Sequence, residues 1–404
     1  MTRIGFVFNQ KPEPVVAPHA ASEAPAADEE PPSPSRDSTL AAPTSAASTS
    51  RSTVASAPAS SVAPDDEYAE WDTPETIDAV ARALAQAGTV IRLEATRDLP
   101  ARLVAADVDI VFNIAEGRRG PNREAHVPAI CEFLDVPYTA SDPFTCALCL
   151  DKARTKETLA FHGVPTAPFA VVREAADLDA LLRGRAADAR GPALPPLDAL
   201  FPAFAKPVHE GSSKGITERS YCEDARALER TTRFLLETYR QPVLVETFLP
   251  GAEFTVAVLG NGRAARCLPL VGMNFGALPA GALPIYGFEA KWQWDTVDDP
   301  LDMFDCPARV SDDVRAAVER VALDAYRVLG CRDWGRVDVR LDAAGVPNVV
   351  EVNPLPGILP DPRDNSCLPK AARAAGMSYD ALILACLEHA LDRHGLSGRR
   401  AAPR

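Results

Sequence analysis

The sequence predicts an α/β (α+β) protein that opens on a doubly wound parallel sheet, and three observations carry that prediction. Arg3–Asn9 (RIGFVFN) is a short apolar run of the length of a buried strand. Strand-like segments at Thr89–Leu93 and Val108–Ile114 alternate with helical patterns, as in crossover units. The chain has 404 residues, 47% of them hydrophobic, enough for two or three domains and a large core.

After the first strand the composition collapses. Of the 54 residues from Lys11 to Pro64, 39 are Ala, Pro, Ser or Thr, and no Phe, Trp or Tyr occurs between Phe8 and Tyr68. Such a stretch buries too little apolar surface to offset its ordering entropy. We read 11–64 as a disordered insertion that interrupts the first domain. Order resumes at Asp72-Thr73-Pro74-Glu75, a capping residue followed by Pro and an acid, which starts a helix running to about Gly88. Further helices are expected near Ala125–Leu134 and across Pro143–Phe161. Gly184–Pro202 is an Ala/Pro/Gly-rich loop. Short strands follow at Ala203–Pro207, Pro242–Thr247 and Phe254–Leu259, then a glycine-rich, mobile stretch at Gly272–Pro284. The division expected is 1–150, 151–245 and 246–396, with a tail at 397–404.

Several functions are excluded at this level. No apolar run is long enough to span a membrane. A formal charge of −14 argues against a nucleic-acid partner. The Met1–Pro14 segment lacks a signal-peptide core, and nine scattered cysteines fit a reducing, cytoplasmic setting. Cys146 and Cys149 form a lone CxxC that reads as a packed helix face. Only seven of the 42 basic residues are lysine: Lys11, Lys152, Lys156, Lys206, Lys214, Lys291 and Lys370. Lysine and arginine are not interchangeable, so each survivor is a candidate for a particular task. Lys11 falls in the insertion.

The sharpest chemical signal is a pair of alternating segments, Trp334–Asp342 (WGRVDVRLD) and Pro347–Pro354 (PNVVEVNP), joined by turn residues. A hairpin centred between Ala344 and Gly345 sets Asp338 opposite Glu351 and Arg336 opposite Asn353. These four then share one face, and Val337, Val339, Val350 and Val352 point the other way, into the core. Such a face either holds hard cations through oxygen ligands with an arginine beside them for an anion, or is a solvated surface of cross-strand charge pairs. A second signal is Lys206-Pro-Val-His-Glu-Gly-Ser-Ser-Lys-Gly215, a strand ending in lysine and leading into a loop of small residues. It is either a phosphate cradle of backbone N–H groups or an ordinary turn.

Taken together, these segments resemble the ATP-grasp superfamily, specifically the D-alanine–D-alanine ligases and their close relatives. Matching stretches are Leu150–Lys156 (LDKARTK), Ala205–Gly215, Val243–Val256, Phe288–Lys291 (FEAK), the WGRVDV strand and Glu351-Val-Asn-Pro354, in the family's order over about residues 90–390. The resemblance implies an ATP-grasp fold of three domains around one ATP. It implies that Lys152 and Lys206 meet nucleotide phosphates and Lys291 the transferred phosphate. Glu246, Thr247, Phe248 and Leu249 would line the adenine pocket, and Glu253 would hold the ribose. Asp338, Glu351 and Asn353 would bind two magnesium ions, with manganese as an alternative. Glu210, Ser212 and Ser213 lie on the loop that closes over the phosphates, with Gly272–Pro284 as a second lid. Arg336 and the backbone N–H of Gly357 would meet an oxyanion. The activity implied is ATP-dependent carboxylate–amine ligation through an acyl phosphate. Amino acids or small peptides are the expected substrates, and a homodimer is the family's frequent assembly.

Departures from the family pattern fall in the amino-acid pocket. Glu70, with Glu67 as fallback, is the candidate for the glutamate that holds the first substrate. The family's His-Gly becomes Glu116-Gly117, where Glu116 belongs to that pocket or caps the following turn. The tyrosine after the EAK lysine becomes Trp292; Trp292 and Trp294 have packing as an alternative role. Ser366 is matched to the family's serine near the second substrate. His209 and His126 are read as hydrogen-bonding bystanders.

Overall fold

The computed structural model describes residues 1–12, 68, 70–184, 196–287, 289–294 and 301–397. The insertion expected over 11–64 falls outside these, apart from Lys11 and Pro12; so do Glu67, most of the 184–202 loop, the side chain of Trp292 and nearly all of the tail.

The first strand forms where the apolar run predicts it: β1 (Thr2–Phe8) is the centre of a three-stranded parallel sheet, between β2 (Gly88–Glu94) and β3 (Ile110–Asn113). Between them α1 (Pro74–Leu84) is capped by Thr73, whose hydroxyl accepts from the Thr76 N–H, and α2 (Leu99–Ala106) follows β2. The chain continues through α3 (His126–Phe133) and α4 (Pro143–Leu150). Cys146 and Cys149 are buried on α4; burial pushes the Cys146 thiol up, and a hydrogen bond with Cys331 together with burial raises Cys149.

The single helix expected over Pro143–Phe161 is in fact two. Asp151 adopts an extended conformation, caps α5 (Lys152–Phe161) through the Arg154 N–H and ends α4. That break lets the Lys152 N–H reach the Val208 carbonyl at 3.2 Å, which anchors the helix start beside the loop that follows β5.

A four-stranded sheet follows in the order β4-β7-β5-β6: β4 (Phe169–Val172), β5 (Ala203–Pro207), β6 (Tyr221–Cys222) and β7 (Val243–Thr247). The helices α6 (Ala175–Leu182), α7 (Leu197–Leu200) and α8 (Ala225–Tyr239) accompany it, and Leu178, Leu228 and Leu235 join its core.

The third sheet has six strands: β8 (Glu253–Leu259), β9 (Arg266–Cys267), β10 (Val271–Met273), β11 (Phe304–Asp305), β12 (Trp334–Leu341) and β13 (Pro347–Asn353). The stretch expected to be mobile from Gly272 therefore begins as strand β10. Helices α9 (Asp312–Val328), α10 (Cys367–Ala374) and α11 (Tyr379–Arg393) complete the fold. One core joins the first and third sheets, with Phe112 stacked on Trp334 at 5.4 Å.

Candidate active site

The hairpin of β12 and β13 pairs Arg336 with Asn353 and Asp338 with Glu351, as the spacing predicts, but the route differs. Near the turn the register is one residue shorter: Arg340 faces Asn348 and Val339 faces Val349. A β-bulge at Val350 then adds the missing residue. Val350 consequently lines the cavity and Val349 takes the buried position, correcting the expectation that Val350 points into the core.

The polar face is tightly organised. Asp338 accepts from Thr255 Oγ1 at 2.9 Å, from Arg336 Nη2 at 2.9 Å and from Asn353 Nδ2 at 3.4 Å. Glu351 pairs with Lys152 at 2.8 Å. Burial alone would raise the Glu351 pKa, but Lys152 and Lys206 bring it down to about 2. Two carboxylates and an amide oxygen on one strand pair make an all-oxygen donor set, the chemistry that hard divalent cations require.

This face forms part of a cavity of about 970 Å³. At one end β7 runs into Thr247, Phe248 and Leu249, all of which line it. The N–H groups of Thr247 and Phe248 are used by the carbonyls of Pro168 (3.0 Å) and Pro202 (2.8 Å). That leaves the Leu249 N–H as the one of the three without a backbone acceptor among the described residues. Glu246 is locked between Lys206 at 2.7 Å and Lys156 at 2.8 Å. Against the raising effect of its burial, these lysines hold the Glu246 carboxyl at about 2. Glu253 pairs with Arg340 at 2.8 Å, its neighbour across β8 and β12.

Lys206, Ser212, Ser213, Lys291, Arg336 and Gly357 line the same cavity. Lys291 sits in a π-helical turn, Ala290–Trp294; burial, then the Arg336 charge, lowers its pKa. Ser212 and Ser213 both have positive φ, +50° and +61°, a rare conformation for two successive side-chain-bearing residues. The Ser213 hydroxyl donates to the Tyr286 carbonyl at 3.1 Å, so the 208–215 loop touches the 274–287 segment. Ser366 Oγ donates to the Gly357 carbonyl at 3.1 Å and accepts from the Leu359 N–H, holding the loop that carries Gly357.

Lys152 and Glu210, both expected at the phosphates, are engaged here by protein groups. Lys152 stands behind Glu351 and does not itself line the cavity. Nor does Glu210, whose carboxylate accepts from Gln241 Nε2 at 2.7 Å. Lys11, assigned to the insertion, lines the cavity instead, and its N–H donates to the Asp72 carbonyl.

The other end of the cavity is acidic. Glu70 is held by Arg123 through Nη2–Oε1 at 2.8 Å and Nε–Oε2 at 3.0 Å. Arg123 also reaches the His209 carbonyl at 2.9 Å, fastening this carboxylate to the 208–215 loop. Glu70 lies so close to Gly211 that a Cβ there would stand 2.3 Å from Oε1. Arg123 and Lys214 outweigh the effect of burial and lower the Glu70 pKa. Glu116 and Glu124 also line the cavity, and neither has a hydrogen-bond or ion-pair partner among the described residues. Burial, reinforced by Glu70, pushes Glu116 well up; burial raises Glu124 to about 7. His126 is exposed, and the backbone of His209 pairs with Gln241 Oε1 at 2.7 Å.

Residues 159–388 match the family model described as the C-terminus of D-Ala–D-Ala ligases. A D-alanine–D-alanine ligase of Bordetella avium is 37% identical over 313 residues, covering 77% of this chain and 87% of the relative. The chain belongs to the D-alanine–D-alanine ligase family. An uncharacterised protein, y4sG, of Sinorhizobium fredii is 33% identical, covering 74% of this chain and 79% of the relative. The crystal structure of a D-alanine–D-alanine ligase from Bacillus anthracis complexed with ATP superposes with a TM-score of 0.62 at 18% identity. The superposition covers 98% of this chain and all of that one, a likeness of fold. As a member of the family, this chain is an ATP-grasp ligase that forms a peptide bond. No described helix is long and apolar enough to cross a membrane.

Sequence reasoning did not single out Arg123, Glu124, Lys156 or Arg340 for these roles. For Arg340 a signal existed: it continues the alternation of Arg336 and Asp338 along the same strand face.

Proposed function

We propose that the chain joins two amino-acid or small-peptide substrates at the expense of ATP, with D-alanine as the first candidate donor. The observation that carries this reading is one cavity with paired cations and oxygen ligands at one end and, at the other, acids without partners among the described residues. Lys206 and Lys291 are assigned to offset repulsion between the donor carboxylate and the triphosphate. Asp338, Glu351 and Asn353 are assigned to two magnesium ions, which when bound supply further charge neutralisation at the phosphates. The donor carboxylate attacks the γ-phosphate and expels ADP to give an acyl phosphate; the acceptor amine then attacks the acyl carbon, losing a proton as inorganic phosphate leaves. Arg336 and the Gly357 N–H are the assigned donors to the oxyanion of that second step. Ser212, Ser213 and Glu210 belong to the loop that excludes water, which would hydrolyse the acyl phosphate. The division at 150 and 245 makes this a three-lobed enzyme acting in the cytoplasm, with a homodimer as its assembly.

For the donor ammonium we assign Glu116 and Glu124 in place of Glu70, because both Glu70 oxygens are already engaged by Arg123. This favours a second reading within the class, a ligase for amino acids other than D-alanine or for a small peptide. Phosphate release with ATP and D-alanine, then with an amino-acid panel and product mass, separates the two. Release with D-alanine and a product of two alanines supports the first; release only with another pair supports the second. Absence of amino-acid-dependent release overturns both and leaves a nucleotide-binding scaffold.

A further inference from the structure

We infer that Arg340 is a nucleoside-recognition residue that selects nucleotides carrying an intact ribose diol; the inference rests on the reading that the cavity binds ATP with Glu253 at the sugar. Arg340 is 6% exposed yet lines the cavity. Its guanidinium carbon lies 4.7 Å from the centroid of Phe248 and 5.1 Å from that of Phe275. Nη1 donates to Glu253 Oε2 at 2.8 Å, and Nη2 donates to the Pro284 carbonyl at 2.9 Å. The remaining donor, Nε, is buried without a partner among the described residues.

Each feature narrows what the ligand must offer. Burying a guanidinium costs more than burying a methionine or leucine of similar volume, so packing alone does not account for an arginine at this position. Tying Oε2 of Glu253 to Arg340 orients that carboxylate and leaves Oε1 to accept from the ligand. The unpaired Nε–H carries a desolvation penalty until an acceptor arrives. A sugar hydroxyl meets both demands at once, because it donates through its hydrogen and accepts through its lone pairs. One hydroxyl of the diol donates to Glu253 and accepts from Arg340, while aromatic stacking keeps the guanidinium plane fixed.

Calorimetric titration of the full-length protein with ATP and with 2′,3′-dideoxy-ATP, both with magnesium, tests this without reference to turnover. The wild type is expected to favour ATP by at least about tenfold, the scale of a charge-assisted hydrogen bond. Arg340→Met should narrow that preference to under about threefold by weakening ATP while leaving dideoxy-ATP nearly unchanged. Arg340→Lys, which keeps a charge for Glu253 but lacks the Nε–H, should fall between them and serves where the methionine variant folds poorly. In the double variant with Glu253→Gln, the loss should be no greater than that of the worse single variant. The inference is overturned by an undiminished ATP preference in both Arg340 variants, by fully additive losses, or by a wild type indifferent to the diol. Failure of the wild type to bind either nucleotide overturns the ATP reading and this inference with it.

Discussion

The two ends of the cavity treat charge in opposite ways. At the proposed nucleotide end, Lys206 and Lys156 hold Glu246, Arg340 holds Glu253, and Lys152 holds Glu351. At the other end Arg123 is used on Glu70, while Glu116 and Glu124 face the cavity without partners among the described residues. Paired groups are preorganised: they keep their geometry before a ligand arrives and suit a ligand whose charge is shared among several donors. Half-buried acids with no partner among the described residues are the reverse: burial disfavours their charge until a cationic ligand arrives. On the proposed reading, the paired end suits a polyanion and the unpaired end an ammonium.

The largest effect expected is at the oxygen ligands. Asp338→Ala or Glu351→Ala should lower amino-acid-dependent phosphate release by about a thousandfold or more while the fold survives. Equal circular dichroism and a loss of less than tenfold would remove the metal assignment and, with it, the contrast between the two ends.

Next is the preorganisation of the nucleotide end. Lys156 is 1% exposed and touches Glu246, so Lys156→Met removes a cation from a buried pair without altering the cavity lining. Breaking such a pair should cost about 3 kcal/mol, read as a lower denaturant midpoint. The Glu246 carboxyl has its pKa depressed to about 2 from 4.5. Its contribution is therefore present above about pH 4.5 and lost as pH falls toward 2. The variant should lose part of that acid dependence; an unchanged acid-unfolding profile would show the pair to be unimportant.

A smaller effect tests the acidic end. Glu124→Gln should raise the KM for the donor amino acid about tenfold and leave the KM for ATP alone. Because burial holds the Glu124 carboxyl near 7, the donor KM of the parent should fall as pH rises through about 7, when the carboxylate forms. The glutamine variant should flatten that dependence. An equal rise in both KM values would mean a distorted cavity and not a lost ammonium contact.

What the sequence disclosed follows the range of the interactions involved. The polar face of β12 and β13 was legible because alternation within a strand is local, whereas the pairing of Asp338 with Glu351 came from a turn placement one residue off that the bulge makes good. The bulge at Val350 was not, since no glycine or proline marks it. Lysine scarcity pointed to Lys206 and Lys291 in the cavity, but Lys156 was hidden because its partner Glu246 lies 90 residues away. The family resemblance suggested Glu70 as the glutamate of the first-substrate pocket. Its engagement by Arg123 depends on packing between distant elements, which one sequence does not reveal.

The smallest expected effect comes from outside both ends. Asn9 and Lys11 are joined to Asp72 by backbone hydrogen bonds of 2.9 and 2.8 Å, and Gln10 bridges to the same residue. Asn9 Oδ1 also accepts from the Gly117 N–H at 2.9 Å. Entry to and exit from the 13–62 segment are thus pinned by groups that do not belong to it. A stretch of its composition contributes little beyond loop-closure entropy, so deleting Glu13–Val62 shortens the connection roughly sixfold and should raise stability by at most about 1.5 kcal/mol. Chemical denaturation of the deletion variant reads this directly, and its ATP affinity should match the parent's. A fall of more than about 2 kcal/mol would exceed any loop-closure effect and identify the segment as part of the packed structure. A weakened donor KM at unchanged stability would instead give the insertion a part in donor binding.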